Sequence, residues 1–113
     1  MPPKRNPLKL NPLQLKTLLL LQEIARIPGT TTAGADGEVV ISSFPPAHGD
    51  HFHLGESVVS GKDATGLYKQ EVWNALTRKG LARAEWPHRI ALTPAGQSYE
   101  TGLAGEILQR HAH

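Results

Sequence analysis

Between Val72 and Pro94 the chain carries a punctuation that admits few local structures. Val72, Ala75, Leu76 and Lys79 recur at helical spacing, and the aliphatic stem of Lys79 can lie along the apolar side. Gly80 then stops the helix, because glycine enters the left-handed C-cap conformation without a Cβ clash. Arg78 and Lys79 fall in the last turn, where cations complement the helix dipole. Two short extended pieces follow, residues 81–85 and 89–92, with Pro87 in the turn between them. Thr93 and Pro94 have the types of an N-cap and a first helical residue. The local order is therefore helix, glycine stop, small hairpin and new helix.

That order, with Leu76, Lys79, Gly80 and Leu81 followed by Leu92, Thr93 and Gly96, resembles the winged-helix superfamily, particularly the MarR and PadR groups of bacterial regulators. In that family the recognition helix ends in a Leu-x-x-Lys-Gly-Leu pattern, and a wing hairpin returns into Leu-Thr-x-x-Gly. Val72 and Trp73 occupy the place of the apolar pair that seats the recognition helix. The match covers about a quarter of the chain. It implies a winged-helix-like α+β fold and a DNA-binding transcriptional regulator; fold constrains function only loosely.

At 113 residues the chain is long enough for one small domain with a single core. It has no cysteine, which excludes disulfides, thiolate metal sites and thiol catalysis. Its longest continuous apolar run, residues 18–21, is far too short to span a bilayer. No signal-peptide pattern opens the sequence, so the expected location is cytoplasmic. The net charge of +2 is unevenly spread: +4 over residues 1–16, −4 over 17–63 and +3 over 64–93. The basic parts are the first residues and the helix–hairpin region, where a phosphate backbone would lie.

Residues 1–11, rich in proline and basic side chains, are expected to form a flexible arm, and 12–110 the domain. Asn11 and Pro12 mark the start of a first helix running to about Ile27. Leu13, Leu20, Ile24 and Ile27 form one stripe on it, while Leu15, Leu18 and Leu19 lie nearly opposite. One apolar stripe suffices for a surface helix, so the second predicts a homodimer through residues 13–27. Residues 29–37 are polar and glycine-rich and predict a loop. Residues 38–44 and 51–54 predict the two strands of an additional β-hairpin spanning 38–54, ahead of the recognition-type helix. Residues 55–66 fit either a continued strand or a short bracing helix.

The second helix is expected from residue 67 or 68 to 79, with Tyr68, Val72, Ala75 and Leu76 facing the core and Trp73 at its boundary. The resemblance places Lys69, Gln70 and Asn74 in a DNA major groove, with Thr77 and Arg78 on the same exposed surface. Glutamine and asparagine can bond adenine edges bidentately, and lysine can reach guanine or phosphate. Arg83 and Arg89, flanking a short wing tip, are expected to meet phosphates. A final helix from Pro94 is expected to carry Tyr99, Leu103 and Ile107 on one stripe.

His48, His51 and His53 form the only dense group of potential metal ligands. On a strand, His51 and His53 share a face, a geometry used by zinc sites. No nucleophile elbow, Walker loop or dinucleotide fingerprint occurs, and no enzymatic activity is expected. The sequence thus predicts a winged-helix regulator that binds double-stranded DNA as a homodimer, with no membrane partner and no required cofactor. Its rivals are a winged-helix protein–protein interaction module without DNA binding and a metal-responsive sensor using zinc at the histidine cluster.

Overall fold

The computed structural model describes residues 6–27, 29, 31–44, 47–48, 51–54, 57–103 and 107–110, with the backbone only at 47, 48, 52, 109 and 110. Helix α1 spans Pro12–Ile24. Its start is closed by a reciprocal cap: Gln14 N donates to Asn11 Oδ1 (2.8 Å) and Asn11 N donates to Gln14 Oε1 (3.0 Å). Residues 25–27 tighten into turns, Arg26 N donating to the Glu23 carbonyl and Ile27 N to that of Ile24, so the helix is shorter than predicted.

The two apolar stripes of α1 are largely packed within the chain, with Leu13, Leu15 and Ile27 partly buried. Leu18, Leu20, Leu21 and Ile24 are wholly inaccessible and Leu19 nearly so. A 3-10 helix, Gly61–Tyr68, supplies the second layer expected from a partner copy. Gly66 permits its close approach, since a methyl group there would overlap Thr17 Oγ1. Lys16 Nζ reaches Asp63 Oδ1 across the same seam (3.0 Å). Leu18 and Leu19 of the second stripe are thus packed within the chain, while Leu15 stays partly buried.

Strands β1 (Thr31–Ala33), β2 (Val39–Ile41), β6 (Ala82–Glu85) and β7 (Arg89–Leu92) form one antiparallel sheet in the order β1-β2-β7-β6. Register sets Ile41, Ile90 and Ala84 in one row and Val39, Leu92 and Ala82 in another, both turned to the core. Between them Val40, Ala91 and Arg83 share the outer face. The segment 29–37 is not merely a loop: Thr31–Ala33 becomes an edge strand by pairing with β2, joined through a 3-10 turn at Ala35–Gly37. Non-local pairing overrides its polar composition.

A second antiparallel sheet has the order β3-β4-β5-β8, from Ala47–His48, His51–Leu54, Ser57–Ser60 and Gln109–Arg110. The predicted single hairpin over 38–54 is thus divided between two sheets. Ile41 is wholly buried where β2 pairs with β7, and β4 instead pairs with β3 and β5. Residues 57–68 follow neither alternative as drawn: Ser57–Ser60 is a separate strand running antiparallel to β4, and a 3-10 helix follows it at Gly61–Tyr68.

Helix α2 spans Gln70–Arg78 and buries Val72, Trp73, Ala75 and Leu76. Trp73 packs edge-on against Trp86, with ring centroids 4.8 Å apart, which fastens the helix to the hairpin turn. Tyr68 departs from expectation, being 57% exposed. Lys69 is extended (φ −119°, ψ 113°) and separates the 3-10 helix from α2, so Tyr68 does not continue the α2 stripe.

Thr93 connects the punctuation at both ends of the hairpin: its hydroxyl donates to the Gly80 carbonyl (2.7 Å) and accepts from Gly96 N (3.1 Å). Helix α3 covers only Pro94–Ser98. Tyr99 turns extended, so Tyr99, Leu103 and Ile107 do not form the predicted helical stripe, although Ile107 is still buried. The Tyr99 hydroxyl instead donates to Asn6 Oδ1 and accepts from Leu8 N (3.2 Å). Lys79 Nζ donates to the Leu8 carbonyl (2.7 Å), and Leu10 is buried. The predicted arm is therefore docked from Asn6 onward, while residues 1–5 lie outside the described residues.

Leu18→Glu tests the internal placement of α1. A carboxylate buried there without a partner is expected to cost more than about 4 kcal/mol and unfold the chain, read by far-UV circular dichroism. A folded, monodisperse variant would contradict this packing.

Candidate nucleic-acid interface

The exposed side of α2 follows directly from its burial pattern. With Val72, Trp73, Ala75 and Leu76 turned inward, Gln70, Asn74, Thr77 and Arg78 lie outward at spacings of four, seven and eight residues from Gln70. Lys69 stands exposed at the helix start and Tyr68 just before it. Glu71 occupies the first turn and Arg78 the last, both matched to the helix dipole. The amides of Gln70 and Asn74 each present donors and an acceptor at the surface, the inventory needed to bond a base edge. Thr77 is less available: its hydroxyl donates to the Trp73 carbonyl (2.9 Å), leaving the oxygen only as an acceptor.

Arg83 and Arg89 are placed differently from the phosphate contacts predicted for them. Arg83 forks onto Glu38, its Nε 3.2 Å from Oε2 and its Nη2 on Oε1. Arg89 Nε donates to Glu85 Oε1 (3.0 Å), its direct partner in the β6–β7 register. Both predicted cations therefore already face carboxylates. The hydrogen bonds from Arg83 hold the Glu38 carboxyl below its ordinary range and raise the guanidinium in turn. The sequence pattern alone does not assign these acidic partners. Glu85 lies four residues before Arg89 across a tight turn; Glu38 comes from another strand region.

The predicted metal ligands lie on the second sheet, away from the sheet that carries Arg83 and Arg89. His51 and His53 share a face of β4, with ring nitrogens Nε2 3.2 Å apart and ring planes at 77°. The backbone register sets His48 opposite His51; the side chain of His48 lies outside the described residues. Among the described residues no group of three or more His, Cys, Asp or Glu side chains converges. No helix among them is long and apolar enough to cross a membrane. No family model, no curated protein and no solved structure matches the chain.

The Arg83–Glu38 pair is open to a direct test. Because the folded carboxyl is depressed below its usual value near 4.5, its contribution to stability is present above that value and lost as pH falls through the folded value. Arg83→Ala is expected to return the Glu38 titration upward, as followed by side-chain NMR, and to shrink the acid-side loss of stability. An unchanged Glu38 titration would remove the pair.

Proposed function

We propose that this chain is a winged-helix-type domain that binds duplex DNA through the exposed face of α2. The observation that carries the reading is the outward row Gln70, Asn74, Thr77 and Arg78 on a helix whose other side is seated by Val72, Trp73 and Leu76. What supports it is the sequence of a 3-10 helix, α2 and a β6–β7 hairpin whose second strand pairs with β2, although β3–β5 of the second sheet are inserted between β2 and the 3-10 helix. In this reading Gln70 and Asn74 read base edges, and Lys69 and Arg78 meet phosphates. Regulation of transcription is the role the reading implies. Self-association through α1 is not needed for this reading, since most of the helix packs within one chain.

A second reading, a protein-interaction module of the same shape, is favoured by one observation: Arg83 and Arg89 are compensated by Glu38 and Glu85. A hairpin neutralised in this way draws little on the polyanion attraction that dominates nonspecific DNA affinity.

Salt-titrated binding to mixed duplex fragments separates the two. Under the DNA reading, Gln70→Ala and Asn74→Ala each lose about 1–3 kcal/mol on a preferred site and little elsewhere. Lys69→Ala and Arg78→Ala weaken all sequences alike and lower the salt slope by about one each. Absence of duplex binding at low salt, where attraction is least screened, would leave the interaction module.

A further inference from the structure

The β4 histidines are not used by an interface on α2, and their geometry is specific. Strand alternation puts His51 and His53 on one face, and the strand is hydrogen-bonded on both sides, to β3 and to β5. His51 is paired in both registers, with His48 and with Ser60, while His53 lies opposite Val58. Their backbone positions are therefore set by the sheet, not by a loop. His51 is half-buried and His53 exposed.

The two Nε2 atoms are 3.2 Å apart. Two imidazole nitrogens bound to one zinc ion at about 2.0–2.1 Å with a tetrahedral angle are separated by about 3.3 Å. The observed separation thus matches the bite of a tetrahedral divalent ion with almost no movement of either ring. In the metal-free chain this contact is a hydrogen bond, one Nε2–H donating to the other Nε2; a bound ion would take the place of that proton, released to solvent, and engage both nitrogens. We infer that His51 and His53 form the protein half of a binding site for a divalent transition-metal ion of zinc type. Imidazole donors favour zinc, nickel and copper over magnesium and calcium, which prefer oxygen. A tetrahedral ion held by these two nitrogens takes its remaining ligands from water or from further donors. The inference stands apart from the DNA reading, because α2 supplies no donor to it.

The test is calorimetric titration of the full chain, free of any added histidine tag, with zinc chloride in a non-coordinating buffer. One zinc ion per chain is expected, with His51→Asn and His53→Asn each weakening binding by more than about tenfold. Asparagine keeps a polar side chain of similar reach, and unchanged far-UV circular dichroism confirms folded variants. His88→Ala and the double variant His111→Ala/His113→Ala are expected to bind as the parent does, and millimolar magnesium to leave the isotherm unchanged. The inference is overturned if the parent chain shows no one-to-one zinc binding. It is equally overturned if the β4 variants bind normally, or if binding disappears with His111 and His113.

Discussion

The burial of α1 on both of its apolar sides is the constraint on which the rest of the structure depends. Leu18, Leu20, Leu21 and Ile24 lose all contact with solvent, each stabilising the fold by about 1.5–3 kcal/mol before the entropy of ordering is counted. A helix so enclosed needs neighbours on every side, and a single sheet cannot supply them. The 3-10 helix, α2 and α3 fill those positions. Enclosure also exposes polar groups on α1 to burial. Gln22 is satisfied by donating to the Gly96 and Tyr99 carbonyls (2.9 and 2.8 Å). Thr17 Oγ1 finds no hydrogen-bond partner among the described residues, the cost of a contact close enough to require Gly66.

Where structure is dictated by neighbours in sequence, residue types alone were sufficient. Asn11 and Pro12 start α1, Gly80 (φ +76°) ends the α2 segment, and Thr93 and Pro94 start α3, all at the predicted places. The hairpin between Gly80 and Thr93 was legible for the same reason. Strand partnership was not, because pairing is decided across the fold. Val39–Ile41 reads as a strand in isolation, but nothing local tells that its partners are Thr31–Ala33 and Arg89–Leu92 and not His51–Leu54. Gln109–Arg110 is a strand only because β5 offers it an edge. Tyr68 fits the α2 periodicity by spacing alone, but the extended residue Lys69 breaks the helix between them.

The candidate interface divides along the same line. Exposure of Gln70, Asn74, Thr77 and Arg78 follows from helical periodicity and was readable. The state of Arg83 was not, since its carboxylate lies 45 residues away in sequence. The His51–His53 pair lies between these cases. Strand alternation predicts a shared face, whereas the close approach of their ring nitrogens depends on rotamers that no sequence pattern encodes.

These placements determine what kind of DNA binder the proposed winged-helix reading describes. On the outer face of the first sheet, two arginines face two carboxylates, so that surface contributes almost no net field. Around α2, Lys69 and Arg78 are opposed by Glu71, leaving a small positive excess. A surface of this charge releases few counterions, and its nonspecific affinity is correspondingly weak. Affinity for a preferred site then has to come from shape and from hydrogen bonds at base edges, made by a helix of only nine residues. Such an interface gains more from rigid seating than from added cations. That seating is supplied by Trp73, held between Phe44 and Trp86 with ring centroids 5.7 and 4.8 Å away. These edge-on and tilted ring contacts tie α2 to the hairpin turn and to Phe44, and the burial of Val72, Trp73, Ala75 and Leu76 turns Gln70 and Asn74 to solvent.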